Sequence, residues 1–243
     1  MSNQYIKAFL KFSKKKGYQD DLLDGKLFFR SVKGARKVND PFDSYCSTVK
    51  TDFFNIRLQN FEDSTKPISC YYAVMGDNDS DIVDLKFSEE QLKKFKENFG
   101  EYVTVIKDAP RFIEQVKQTN LRIWYGCCDY TNDDIPAIAL FNKKVDLSDE
   151  KEFRLVADEF VFARDVDGTR LKEDGKELDL NFYKNFYVLD KMLFVNIGSI
   201  ADISETYSVN QLADGVKLQV KFDKERNTPE KLSNLKEYAE QYI

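Results

Sequence analysis

The stretch Ser148-Asp149-Glu150-Lys151-Glu152-Phe153-Arg154-Leu155-Val156 runs from a charged loop into an apolar strand, and its reading sets the architecture. Side chains alternate faces along a strand, so Glu150, Glu152 and Arg154 are expected on one face. Two carboxylates side by side repel unless a cation or a hydroxyl separates them, and Arg154 supplies the cation. The plainest reading is an exposed, self-compensating polar row at a strand edge. The chemical reading is that one carboxylate holds a sugar hydroxyl or stabilises positive charge developing on an anomeric carbon.

An earlier segment carries the same character. Asp24-Gly25-Lys26-Leu27-Phe28-Phe29-Arg30-Ser31 reads as a strand ending in a guanidinium and a hydroxyl, and a polar loop closes at Asn39-Asp40-Pro41-Phe42-Asp43. Asn and Asp bond their own backbone and Pro fixes φ, so that loop is a turn signal. Arg30 and Ser31, at a strand end, are placed to meet an anionic group, which Arg grips bidentately. Asp40 or Asp43 is a candidate to pair with Arg30 or Arg154. The expectation is one site built from two distant segments.

Outward from these motifs, strands are expected over 5–12, 26–32, 52–58, 67–74, 101–107, 121–129, 152–162, 187–197 and 216–222. Ser13 is expected to cap a helix through Leu23, with Tyr18 and Leu22 on one face and Gly25 as its stop. Ser88 and Gln91 form a capping box for a helix burying Leu92, Phe95 and Phe99, which Gly100 ends. A short helix carries Phe112, Ile113 and Val116. Residues 76–84 read as an acidic surface loop. Thr228-Pro229 is expected to open a final helix with Leu232, Leu235, Ala239 and Tyr242 as its apolar face. Helices and strands do not alternate regularly. The predicted class is therefore α+β, one domain over residues 1–243, with a mixed or mostly antiparallel sheet and a few short helices.

Composition removes several functions. The 243-residue chain contains no histidine, which excludes Ser-His-Asp and Cys-His catalysis and every His-ligated metal site. A net charge of −5 without a basic stripe makes nucleic acid an unexpected partner. The four cysteines, Cys46, Cys70, Cys127 and Cys128, contain no CxxC pair and read as buried reduced thiols, with no metal expected. Met1-Ser2-Asn3-Gln4 leads straight into a strand and no apolar run approaches the ~20 residues that span a bilayer. The expected location is the cytoplasm, away from membrane.

In their order, these segments resemble a family. Asp24 to Ser31, Asn39 to Asp43, Phe141-Asn142-Lys143-Lys144, Glu150 to Val156 and then Phe194-Val195-Asn196-Ile197-Gly198-Ser199-Ile200-Ala201-Asp202-Ile203 are similar to the motifs of a broad group of bacterial and phage proteins. Its members carry a GKLYF strand, an NDPFD-like turn and a (Q/E)xE(F/Y)R strand. The resemblance covers most of the chain and implies a protein of host–phage conflict, with anti-defence as the implied role. The Glu150-x-Glu152 pair is also similar to the (Q/E)xE motif of ADP-ribosyltransferases, an α+β split-sheet fold. That resemblance implies NAD as cofactor, Glu152 holding the nicotinamide ribose and supporting the oxocarbenium-like transition state, and Glu150 facing the acceptor. Arg30, Ser31 and Arg154 would then bind the cofactor. Where that fold's first strand carries an Arg or His that grips NAD, this chain has Lys7 and Lys11.

Three functions follow as expectations. The first is a binding protein that inhibits or senses a protein partner by contact and needs no cofactor. The second is an ADP-ribosyltransferase-like enzyme with Glu152 and Glu150 as catalytic residues. The third is a Mg²⁺-dependent nuclease using Asp40, Asp43, Glu150 and Glu152.

Overall fold

A computed structural model describes residues 4–31, 47–50, 55–58, 66–130, 139–143, 145–158, 172–173, 176–177 and 192–240. Its centre is an eight-stranded antiparallel sheet. The class is α+β, as the irregular alternation of helices and strands predicts. Among the described residues, no helix is long and apolar enough to cross a membrane.

The middle strand is β5 (Pro67–Gly76), and its neighbours explain the site. One edge pairs over its first half with β11 (Glu152–Ala157), from Glu152↔Tyr72 to Val156↔Ile68. The other edge is shared by two strands in tandem. β1 (Tyr5–Ser13) pairs with its far half, up to Leu10↔Tyr72. β2 (Lys26–Ser31) pairs with its near end, at Arg30↔Ile68 and Ser31↔Pro67. Between them, no strand among the described residues pairs with residues 69–71 of β5 on that edge. β1 has peeled away by then to follow β7 (Tyr102–Ile106) through Ser13↔Tyr102. β2 comes in alongside β14 (Met192–Asn196), Phe28 opposite Phe194. The sheet therefore forks. β15 (Ser204–Ser208) lies beyond β7, and β8 (Ile123–Cys127) lies beyond β11.

Helix α1 (Lys16–Leu23) spans the fork's two arms. Ser13 does not cap it: its hydroxyl donates to the Lys15 carbonyl, and the helix starts at Lys16 with no side-chain cap. Leu22 is buried as expected, but Tyr18 is 56% exposed and Gln19 takes the inward place. The chain then turns at Gly25, whose φ of 84° and close approach to the Gly198 carbonyl leave no room for a Cβ. Bonds from Ile197 N to Gly25 O (2.9 Å) and Ile200 N to Leu23 O (2.9 Å) tie the start of β2 to the end of β14.

The two faces of the sheet differ. One face carries a continuous core: Phe9, Phe29, Tyr71, Phe153 and Leu155 packed against α1 and α3 (Ala109–Lys117). Phe9 and Phe153 rings lie 4.5 Å apart at its centre. Asp108 caps α3 and Pro110 sits in its first turn, which fits the short helix predicted around Phe112. The opposite face carries two separate apolar clusters. Leu10, Val74, Val103 and Val105 pack under α2 (Glu89–Asn98). Ile68, Trp124, Leu140, Phe141 and Val156 form the other cluster. α2 has both bonds of the Ser88/Gln91 capping box and ends before Gly100 at φ 117°.

Two further expectations need correction. The acidic stretch 76–84 contains β6 (Ile82–Leu85), which pairs with β16 (Val216–Gln219). The final helix, α4 (Leu235–Ala239), starts well after Pro229. Asn234 is the reason. Its backbone N donates to Tyr125 O (3.1 Å), its Oδ1 accepts from Tyr125 N (2.7 Å), and its Nδ2 donates to Ile123 O (3.0 Å). That residue completes the edge of β8 like a strand partner, and a helix could not continue through it.

Two short ladders complete the frame near β11. β9 (Asp129–Tyr130) and β10 (Asn142–Lys143) pair in parallel. A 3₁₀ helix over Val145–Glu150 leads into β11. The remaining pairs are β3 (Ser47–Lys50) with β4 (Asn55–Leu58), and β12 (Lys172–Glu173) with β13 (Lys176–Glu177).

Candidate functional site

A charged floor separates the two apolar clusters on the same face of the sheet. Its centre is Glu152, the first residue of β11, opposite Tyr72. Arg154 follows it on that face and donates Nε to Glu152 Oε1 at 2.7 Å. Lys143, delivered by β10, donates Nζ to Glu152 Oε2 at 2.9 Å and also bonds the Glu150 carboxylate. Arg154 NH1 reaches the Leu140 carbonyl at 2.5 Å. The Glu152 backbone N donates to the Tyr130 hydroxyl at 2.7 Å, which locks β9 to the head of β11.

The row is not an exposed ladder. Arg154 has no solvent exposure, and Glu152 and Lys143 are buried. Neither does Glu150 sit on the strand. It ends the 3₁₀ helix, and Lys151 after it has φ 39°, a left-handed turn that is uncommon for a residue with a Cβ. That turn breaks the expected period of two. The two carboxylates still converge, because both contact the Lys143 ammonium from different elements.

Electrostatics fix the charge state of Glu152. Burial alone would raise its pKa. Arg154 and Lys143, together with hydrogen bonds from Arg154 and the Cys70 thiol, outweigh burial and hold the carboxyl below the usual range. Burial pushes the Cys70 thiol the other way, well above its ordinary value, with Glu152 adding to the rise. Cys70, Cys127 and Cys128 are unbridged thiols, and Cys46 lies outside the described residues.

The fork between β1 and β2 opens onto this floor as a cavity of about 260 Å³. Arg30, Glu150 and Glu152 all line it, so the two distant motifs do share one hollow. Lys11 lines it from the departing end of β1. Its Nζ crosses the fork to donate to Ser69 Oγ (3.0 Å) and Cys70 O (2.8 Å) and lies 4.6 Å from the centre of the Tyr71 ring. Burial lowers the Lys11 pKa, against the raising influence of Cys70 and Glu152. The walls are aromatic: Phe12, Phe28, Tyr72, Phe95 and Phe99.

Two of the residues read from the sequence stand elsewhere. Ser31 is buried, and by alternation on β2 it turns to the face of Leu27 and Phe29 rather than that of Arg30. Arg154 lies beneath the floor as the partner of Glu152 and does not line the cavity. Asp40, Asp43 and the whole Asn39–Asp43 turn lie outside the described residues. Among the described residues, no three His, Cys, Asp or Glu side chains gather where they could hold a metal ion.

The sequence marks Lys11 only as a first-strand lysine and Lys143 only as part of the Phe141–Lys144 motif. Lys11 shares a strand face with Phe9, and a lysine on the buried face of a central strand was the available signal. Nothing in the Phe141–Lys144 motif ties Lys143 to Glu152, because that reach depends on the β9–β10 ladder.

No protein-family model, curated protein or solved structure matches this chain.

Proposed function

We propose that this chain works by binding a protein partner and not by catalysis. The observation that carries the reading is the state of Glu152. An ADP-ribosyltransferase glutamate must offer unbalanced negative charge to a developing oxocarbenium ion. Here the carboxylate is buried and both of its oxygens are held by cations, Arg154 on one and Lys143 on the other. The cavity also lies just below the range of about 300–1,000 Å³ typical for drug-sized ligands, small for a dinucleotide.

The surface offers a place for a partner. Phe28 and Phe194, opposite each other on β2 and β14, are 38% and 61% exposed with ring centres 5.5 Å apart. Aromatic side chains are the usual anchors of protein interfaces. The ordered motifs from Asp24 to Ile203 support a setting in host–phage conflict, in the cytoplasm, as an inhibitor or sensor of a host system.

The test is phage plating on host cells that express the chain, run beside an assay of NAD consumption and ADP-ribose mass adducts. The expected result is an effect on plating lost in Phe194→Ser and kept in Glu150→Gln, with no NAD consumed. NAD turnover that disappears in Glu152→Gln would overturn the reading in favour of the enzyme.

A further inference from the structure

A lysine at the tip of the fork carries charge that the fold leaves partly unanswered. Lys11 Nζ has three N–H donors, and two are taken by neutral oxygens, Ser69 Oγ and Cys70 O. The Tyr71 ring lies beside it, its centre 4.6 Å from Nζ. Among the described residues no carboxylate lies within ion-pair distance of it. Glu152 lines the same cavity, but its oxygens belong to Arg154 and Lys143. Taking a cation out of water without a counter-ion is unfavourable, so an anion entering the cavity would find a donor already in place.

Charge and shape in the cavity agree. Among the described residues, Lys11, Arg30, Lys143 and Arg154 against Glu150 and Glu152 leave an excess of two positive charges around the floor. The walls beside it are flat and apolar. Phe12 stands 4.6 Å from Phe95 and 6.2 Å from Phe99, ring centre to ring centre, on the α2 side. Phe28 closes the opposite side from β2. A single ring system fits the space of about 260 Å³. Small-molecule sites commonly have this make-up: apolar walls with a few convergent polar groups that fix orientation.

We propose that the fork between β1 and β2 binds a small aromatic carboxylate, its ring among Phe12, Phe28 and Phe99 and its carboxylate on Lys11 Nζ. The site stands on the cavity itself and does not depend on the protein-partner reading. A ligand here would sit beside exposed Phe28, one of the two aromatic residues of the surface pair, and so could couple occupancy of the fork to that surface.

The experiment is calorimetric titration of the full chain with benzoate, phenylacetate, indole-3-acetate and 2-naphthoate, each beside its neutral amide. At least one acid is expected to bind about tenfold or more tighter than its amide, the worth of one charge-assisted hydrogen bond. Lys11→Met should erase that preference while leaving the amide's affinity near its starting value. Phe28→Ala, at a position 38% exposed, should weaken acid and amide together. A wild-type chain that binds none of the acids, or binds acids and amides alike, overturns the proposal. So does a preference for acid that survives in Lys11→Met, or affinity untouched by Phe28→Ala. None of these outcomes bears on NAD turnover or on the Phe194→Ser phenotype, so the two readings fail separately.

Discussion

Glu152 and Arg154, two residues apart on β11, form an ion pair with Nε 2.7 Å from Oε1, Arg154 fully buried and Glu152 nearly so at the floor of the cavity. A buried pair adds little net stability compared with apolar residues of the same shape, but breaking it leaves a charge stranded. Glu152→Gln leaves Arg154 without its counter-charge. Chemical denaturation should show a loss of about 3 kcal/mol. The double variant Glu152→Gln with Arg154→Met should lose at least about 1 kcal/mol less than the two single losses added together. Simple additivity would mean that the two side chains do not act as a pair.

The same pair sets the acid limb of stability. Glu152 has a folded pKa below its unfolded value, so its contribution is fully present above about pH 4.3 and declines as the pH falls toward the folded pKa. Denaturation followed from neutral pH into acid should therefore show a decline beginning near that point, and the decline should be shallower in Glu152→Gln. Parallel curves for the two proteins would remove Glu152 from the acid limb.

Lys11 predicts the opposite limb. Its folded pKa is lowered, so across the window between that value and the unfolded value of about 10.4 the unfolded chain holds more protons and stability rises with pH. Below the window the buried ammonium is a standing penalty. The stability of wild type relative to Lys11→Met should improve as the pH rises from neutral into that window. A difference that stays flat with pH would place the Lys11 amine in ordinary contact with water.

Gly25 joins the two arms that bound the fork. Its left-handed φ and its contact with the Gly198 carbonyl both exclude a Cβ. Gly25→Ala should cost about 3 kcal/mol, from backbone strain and overpacking together. Gly17→Ala is the control: nothing lies near its Cβ position and it is inside α1, so it should stabilise by a few tenths of a kcal/mol up to about 1.

Much of the frame is legible in the sequence because its signals are local. The Ser88/Gln91 box, the stop at Gly100 and the alternation of β1 and β5 need only neighbours within a turn or a strand. What escaped depends on residues far apart. β6 hides in an acidic stretch because its partner β16 is more than a hundred residues away. The final helix is delayed by Asn234, whose bonds go to β8. The convergence of Arg30 with Glu150 and Glu152 was expected, yet the fork that produces it comes from two strands sharing one edge of β5, a relation no local pattern carries. A left-handed Lys151 displaced Glu150 from the strand, and periodicity could not foresee it because lysine rarely adopts that conformation.

The most direct test of the central claim is the carboxyl ¹³C resonance of Glu152, followed by NMR as the pH is lowered. A carboxylate held by Arg154 and Lys143 should keep a constant shift from neutral pH down through about pH 4.3, where free glutamates titrate, and change only at still lower pH. A midpoint near pH 6, the behaviour of a carboxyl poised for acid–base chemistry, would contradict the account and return Glu152 to the catalytic role.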